Sequence, residues 1–517
     1  MRKAREIMRP LSPTLATPWL LAALLGAGLT ACVTDDVPDL GISEEESQCG
    51  ATWDVQNVES YDGTLGVSTA FVARHQARVG FHVGIGCSGT LISDDLFLSA
   101  GHCNYAVGHS VRFNYQNAPD GSARPTRDFT VSAVVEQENA NNWDYAIVRL
   151  DGSPGRIYGH ANIAAIDAPV GSNVTIIQHP ASVPKVVHTG PVLDYVSGNW
   201  FRHQVDTTGG TSGSGILDNN GELVGVHTSA GCSTTAPING NFGMRMSQLV
   251  PHSPTLQALS RSKLLWWNPG ALRTSLWSVN ADGSQRDYRE HSVGSGWSPV
   301  SMSNNHILWR HTSDQMSYWT LDDAGNYVTS AAHGPFAGWT AIGHANDRIL
   351  WTHTSGEASL WTVNATGGYL SSIAYAPMVG WRAVAYANNK LLWRHTDGGL
   401  SIWYLDDAGN QQRWAAYAMS PAWTLISFSN NEILWRYTDG RVTQWNLNPL
   451  SDTINTIDNG PFGGWTAAAG ADRKLMWRHT DGRISYWTTN SDGAFMRYIE
   501  HGPVGGWTGL LTSGGTP

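Results

Sequence analysis

Three short segments carry side chains that together could cleave an acyl bond. The first reads Cys87-Ser-Gly-Thr-Leu-Ile and then Leu98-Ser-Ala-Gly-His102-Cys103, and the second reads Asn142-Trp-Asp144-Tyr-Ala-Ile-Val-Arg-Leu150. The third reads Asp206-Thr-Thr-Gly-Gly210-Thr-Ser212-Gly-Ser214-Gly215, followed by Leu223-Val-Gly-Val-His227-Thr228. Acyl transfer to a serine needs an imidazole to take the hydroxyl proton, a carboxylate to orient that imidazole, and backbone N–H donors for the oxyanion. His102, Asp144 and Ser212 offer these groups in that order. Glycine at 210 lets the backbone approach a substrate carbonyl closely, so the N–H groups of Gly210 and Ser212 are natural oxyanion donors. An α/β-hydrolase runs Ser, acid, His and carries G-x-S-x-G; here the order is different and Ser214 stands two after Ser212. Scattered histidines of this region (His75, His82, His109, His160, His188, His203) show neither HExxH nor paired spacing, so neither a metal nor a cofactor is expected.

The elements that must hold these groups are strands. From about Phe71 to Val250, short β-branched and aromatic runs alternate with Gly/Asn/Asp/Pro turns: Phe81–Ile85, Leu96–Ser99, Val111–Tyr115, Phe129–Val135, Ala146–Leu150, Val174–Gln178 and Leu223–Thr228. That is the pattern of an all-β barrel or sandwich. Ahead of it, Arg2, Lys3, Arg5 and Arg9 precede an apolar run from Trp19 to Leu29, too short to span a bilayer and suited to an export signal over residues 1–31. The small residues before Cys32 resemble the lipobox of bacterial lipoproteins, in which that cysteine is acylated. Residues 32–65, rich in Asp and Glu, read as a solvated tether or propeptide. With 32 Lys and Arg against 42 Asp and Glu, a net charge of −10, and no basic cluster beyond the first nine residues, nucleic acid is not an expected partner. Setting Cys32 aside leaves Cys49, Cys87, Cys103 and Cys232, an even number that suits disulfides in an oxidising envelope or extracellular compartment.

After a link at 251–262, residues 263–517 form a repeat that holds most of the 24 tryptophans. One series runs Trp277, Trp319, Trp361, Trp403, Trp445, Trp487 and another Trp297, Trp339, Trp381, Trp423, Trp465, Trp507, each stepping by 42 residues. A third, Trp309, Trp351, Trp393, Trp435, Trp477, keeps the same step. Each unit reads like Ile-Leu-Trp-Arg-His-Thr-Asp-Gly, then Ser-x-Trp, then Gly-Pro-x-x-Gly-Trp-Thr-Ala, with room for about four short strands. Turns such as Asp397-Gly398, Asp439-Gly440 and Asp481-Gly482 fit two-residue hairpins with positive φ. A unit this small cannot bury its own apolar face, so the units must stack, and six blades closing into a propeller are expected. In-register tryptophans are expected mainly in blade packing, while the Arg-His-Thr-Asp-Gly turns and Gly-Trp-Thr loops are the exposed candidates for binding a glycan or peptide.

The three segments of the front domain resemble the chymotrypsin-like serine peptidases, and the Thr-Thr-Gly-Gly-x-Ser-Gly-Ser block is most similar to the bacterial glutamyl endopeptidase branch. Ile177-Gln-His-Pro180 and Pro184-Lys185 before Gly190 resemble that branch too, and the resemblance covers about residues 66–250. It implies a double β-barrel with His102 as general base, Asp144 as orienting acid, Ser212 as nucleophile, and Cys87–Cys103 as a disulfide pinning the histidine loop. Cys49 and Cys232 would then be the remaining pair. Thr211 stands where trypsin-like zymogens carry the aspartate that pairs with the new N-terminus, so that activation switch is missing.

Selectivity is read in two ways. Thr207 and His227 match positions that in glutamyl endopeptidases contact the acidic side chain before the scissile bond, whereas Asp206, six before Ser212, stands where trypsin places its Arg/Lys-selecting carboxylate. Acidic selectivity is the favoured reading. The whole then reads as an exported or lipid-anchored serine endopeptidase acting on proteins or peptides, with a propeller that targets it to a surface or polymer. A surface recognition protein or adhesin with an inactive or only self-processing peptidase domain is the alternative.

Overall fold

The computed structural model describes residues 47–511 apart from 165, 197, 233–238, 261, 281–283, 323, 430, 449–450, 472 and 491. Cys32 and the proposed signal lie outside the described residues. Among those described, no helix is long and apolar enough to cross a membrane.

Among the described residues the front half holds fourteen strands. These are β1 (Gln56–Asn57), β2 (Val79–Val83), β3 (Ser88–Leu91), β4 (Leu96–Ser99), β5 (Ser110–Phe113), β6 (Arg127–Ala140) and β7 (Trp143–Leu150). They continue with β8 (Asn162–Ile163), β9 (Asn173–Gln178), β10 (Val186–Val196), β11 (Trp200–His203), β12 (Gly215–Asp218), β13 (Glu222–Ser229) and β14 (Asn241–Arg245). The strands β2-β3-β4-β7-β6-β5 close into one barrel. The strands β10-β11-β14-β13-β12-β9 close into a second through the β9–β10 pairing, with β1 added to β10 and β8 to β13. Phe97, Phe113, Phe129 and Val148 fill the first barrel, and Ile176, Phe201, Ile216 and Val224 the second. A third cluster between them includes Leu98, Ile147, Ile177, Leu217 and Met244. Strands such as β4 and β7 are therefore covered on both faces, which is why they are nearly continuous apolar runs. The same cluster draws in Val58 and Tyr61 from the segment read as a tether and Leu256 from the segment read as a link.

Helices fasten the barrels together. Helix α1 (Thr69–His75) starts at Ser68, whose hydroxyl accepts the Phe71 N–H at 3.0 Å, and buries Phe71 and Val72. After the short helix α2 (Pro154–Tyr158), helices α3 (Met246–His252) and α4 (Pro254–Leu259) close the domain.

The tail is a ring of six four-stranded sheets. Five consist of consecutive strands, with the inner ones beginning at Trp297, Trp339, Trp381, Trp423 and Trp465. The remaining sheet takes its inner strand from the C-terminus, where Thr508–Leu511 pairs with Ser262–Asn268, so the two ends of the repeat close the ring. We call that sheet blade 1 and number the others in chain order. Each blade is thus displaced by one strand from the sequence unit. Trp266, Trp309, Trp351, Trp393, Trp435 and Trp477, on the second strands, are all fully buried. The other two tryptophan series are half-buried.

One face of the ring rests on the front half. Arg156 pairs with Asp94 at 3.3 Å and with Asp347 of blade 3 at 3.0 Å, and Arg74 with Asp492 of blade 6 at 2.6 Å. Arg473 of blade 6 pairs with Glu222 at 3.3 Å. The repeat position that holds Asp347 and Arg473 is asparagine in blades 2, 4 and 5, as Asn305, Asn389 and Asn431. Charge has entered the repeat where it meets the barrels.

Candidate active site

His102 sits in a single turn, Gly101–Cys103, directly after β4, and Asp144 is the second residue of β7, which pairs with β4. The His102 Nδ1 lies 2.7 Å from Asp144 Oδ2, and the His102 backbone N–H donates to Asp144 Oδ1 at 2.9 Å. The carboxylate therefore grips both the ring and the backbone of the same residue. The His102 side chain is 35% exposed and that of Asp144 only 11%, so the imidazole is the more accessible of the two.

Ser212 stands in the turn before β12, held from several sides. Ser88 N–H donates to Ser212 O at 2.9 Å, Ser88 Oγ to Gly210 O at 2.8 Å, and Gly213 N–H to His227 O at 2.7 Å. Gly210 and Gly213 have φ of +96° and +87°, and a Cβ on Gly213 would lie 2.0 Å from Ser99 Oγ. Only glycine fits such a turn at that closeness. The N–H groups of Thr211, Gly213 and Ser214 are bonded internally, while those of Gly210 and Ser212 have no intramolecular acceptor among the described residues. The Ser212 hydroxyl itself donates to Thr228 O at 3.3 Å.

Thr211 is fully buried and keeps the turn without a charged partner: its Oγ1 donates to Gln178 Oε1 at 2.5 Å and accepts from Thr208 N–H at 3.2 Å. Gln178 Nε2 in turn donates to Asp206 O at 2.7 Å. Ser88 and Gln178 lie inside quoted motifs, but their part in holding the Ser212 turn comes from contacts between distant segments and has no local sequence signal. Both expected disulfides are formed, Cys87–Cys103 and Cys49–Cys232. The one metal-like grouping among the described residues, Cys87, His102 and Cys103, has its two sulfurs bonded to each other and offers no thiolate.

The three residues considered for selectivity lie in different surroundings. Thr207 and His227 are both buried; burial, with the His102 charge second, pushes the His227 imidazole down to about 3, so it is neutral. His203 Nε2 lies 3.3 Å from His227 Nδ1, a neighbour that the sequence did not single out. Asp206 is also fully buried, and its two oxygens accept the backbone N–H groups of Cys49 at 2.7 Å and Asp54 at 3.1 Å. Burial raises its carboxyl above the usual range, against the pull of those N–H donors.

The double barrel is that of a trypsin-like peptidase domain, and residues 87–226 match the family described by that name. It is fused here to a six-bladed propeller. Among curated proteins, an extracellular metalloprotease of Bacillus subtilis is 26% identical over 181 residues, covering 32% of this chain and 56% of the relative. A glutamyl endopeptidase of Staphylococcus epidermidis is 26% identical over 153 residues, covering 27% and 52%. The chain spans about half the length of the curated relatives it matches. Among solved structures, a Glu endopeptidase is 23% identical with a TM-score of 0.31, covering 40% of this chain and 96% of that one. Mouse neuropsin, a serine protease, is 16% identical with a TM-score of 0.30, covering 35% and 94%.

Proposed function

We propose that this chain is an exported serine endopeptidase that hydrolyses peptide bonds through Ser212, His102 and Asp144. The observation that carries the reading is the 2.7 Å contact from Asp144 to His102 Nδ1, which keeps Nε2 free to act as a base. On substrate entry the Ser212 hydroxyl turns from Thr228 O towards His102 and attacks the scissile carbonyl carbon. Its proton passes to Nε2, and Asp144 stabilises the resulting imidazolium. The N–H groups of Gly210 and Ser212 receive the oxyanion. The leaving amine takes the proton from His102, and an acyl ester remains on Ser212. Water then attacks the ester, gives a proton to His102, and the proton returns to Ser212 Oγ as the acid departs.

Cleavage after Glu or Asp is the selectivity favoured by the pocket groups. The neutral His227 and the Thr207 hydroxyl are hydrogen-bonding groups for a carboxylate, and Thr207 Oγ1 accepts from Asn241 Nδ2 at 2.9 Å, which leaves its hydrogen to donate. Selection of Arg or Lys would need an accessible carboxylate, whereas Asp206 is fully buried and each of its oxygens already accepts a backbone N–H. The likeness to a glutamyl endopeptidase at 26% identity agrees with this direction.

The propeller is the targeting part of the proposal. Blades 6 and 1 each carry a shallow aromatic pocket, of about 260 and 280 Å³, lined by Trp465, Trp487 and Tyr498 in one and by Trp507, Trp277 and Tyr288 in the other. Such surfaces suit a glycan or another cell-surface ligand. Acylation at Cys32 would hold the protein at the envelope. A recognition protein with a silent peptidase domain is the second reading, supported by the Ser212 hydroxyl pointing to Thr228. Digestion of a diverse peptide library by the purified chain and by Ser212→Ala separates the two. Cuts that need Ser212 and cluster after Glu or Asp support the enzyme, and an identical pattern from both proteins overturns it.

A further inference from the structure

The stretch Ser47–Asp54 is attached to the selectivity wall more heavily than a tether requires. Cys49 and Asp54 give their N–H groups to the two oxygens of Asp206. Ser47 O accepts from Thr207 N–H at 3.3 Å and from Asn241 Nδ2 at 2.7 Å. Asn241 Nδ2 also lies 2.9 Å from both Val205 O and Thr207 Oγ1, so one amide ties the stretch to both sides of the wall. The Cys49–Cys232 disulfide then joins it covalently to the chain beyond β13.

Asp206 is the carboxylate that this arrangement controls. It adjoins Thr207 in sequence, and an acidic substrate side chain entering beside Thr207 and His227 would approach it. A buried carboxylate that receives two N–H donors has its charge compensated, whereas one stripped of them must either take a proton or turn towards a cation. We propose that Ser47–Asp54 is a specificity strap: by occupying both oxygens of Asp206 and bracing Thr207, it keeps a lysine-attracting charge out of the pocket and so preserves selectivity for acidic residues. The inference rests on the acidic reading given above and adds to it the element that enforces the choice.

The test compares kcat/KM of the full chain on two peptides that differ only in Glu or Lys before the scissile bond. The proteins are wild type, Cys49→Ser/Cys232→Ser, and Asp54→Pro, which removes one N–H donor and leaves the disulfide intact; each variant is also made with Asp206→Asn. The Glu-to-Lys ratio should fall tenfold or more in the cysteine variant and severalfold in Asp54→Pro. Asp206→Asn should restore it towards wild type in both backgrounds, a rescue that a merely structural strap would not produce. An unchanged ratio in a folded strap variant, or a fall that Asp206→Asn does not reverse, overturns the strap. A wild type that already prefers lysine instead fails the acidic reading itself, so the two failures are told apart.

Discussion

Arg473 of the propeller and Glu222 at the start of β13 are paired at 3.3 Å, with each side chain only 7% exposed. They are 251 residues apart in the chain, and the Arg473 backbone N–H is held at the same time by Glu432 Oε2 at 2.9 Å. The pair thus fixes one blade onto the barrel in a place largely shielded from solvent.

Arg473→Glu would leave two carboxylates facing each other there. Breaking a buried pair from one side costs about 3–5 kcal/mol, so the urea midpoint of the full chain should fall clearly. Adding Glu222→Arg should recover a good part of the loss. A single reversal that unfolds at the wild-type midpoint, or a double reversal no better than the single, would mean the contact does not hold the two halves together.

Catalysis gives the second prediction. Asp144→Asn keeps a side chain of nearly the same shape but presents the wrong partner to His102 Nδ1, and kcat should fall by about 10⁴ with little change in KM. Ser212→Ala should fall at least as far. The check is steady-state turnover of a peptide cut by the wild type. An Asp144→Asn enzyme within tenfold of wild type would remove Asp144 from the machinery.

How much of this was legible follows from the kind of constraint at each place. The motifs around His102, Asp144 and Ser212 are local; His102 meets Asp144 at 2.7 Å, and Cys103 Sγ lies 3.9 Å from Ser212 O. Strand β4 was read with its bounds Leu96–Ser99 because four buried residues leave an unbroken run. Strand β3, Ser88–Leu91, was missed: Ser-Gly-Thr-Leu has no strand-like composition and is strand because β2 and β4 pair with it on both sides. Helix α1 was missed since seven residues are too few for a 3.6-residue period to appear. The 42-residue step exposed the propeller, but ring closure by Thr508–Leu511 joins residues at opposite ends of the repeat and has no local signature. Asp206 was weighed by its distance from Ser212, whereas its partners, Cys49 and Asp54, lie more than 150 residues earlier.

Acid stability gives a third prediction. Burial pushes His179 and His227 down to about 3, with the neighbouring Lys185 charge adding to it at His179. Unfolded, each would titrate near about 6.5. Between those values the unfolded chain binds more protons than the folded one, so the stability these residues supply is full above pH about 6.5 and is lost as pH falls towards 3. The thermal midpoint should therefore decline steadily from pH 6.5 to pH 4. A flat midpoint across that window would show that the two imidazoles are not held neutral.

The tryptophans of a blade supply the last. Trp393, on a second strand, is 0% exposed, and Trp403, on the third, is half-buried with its ring 5.0 Å from that of Trp393 at an interplanar angle of 47°. The same pairing recurs in the next blade towards the N-terminus, where Trp351 and Trp361 lie 4.8 Å apart at 40°. Replacing a fully enclosed tryptophan with alanine removes its burial and leaves a cavity the surrounding blade cannot close, so Trp393→Ala should cost about 3–5 kcal/mol. Trp403→Ala gives up the ring contact and part of a burial, about 1–2 kcal/mol. The period predicts the same inequality for Trp351→Ala against Trp361→Ala, measured as urea unfolding of the full chain. Equal losses at both positions would make both series core. An unequal pair leaves the third-strand series, to which the pocket residues Trp277 and Trp487 belong, free to meet a ligand without being needed to hold the ring.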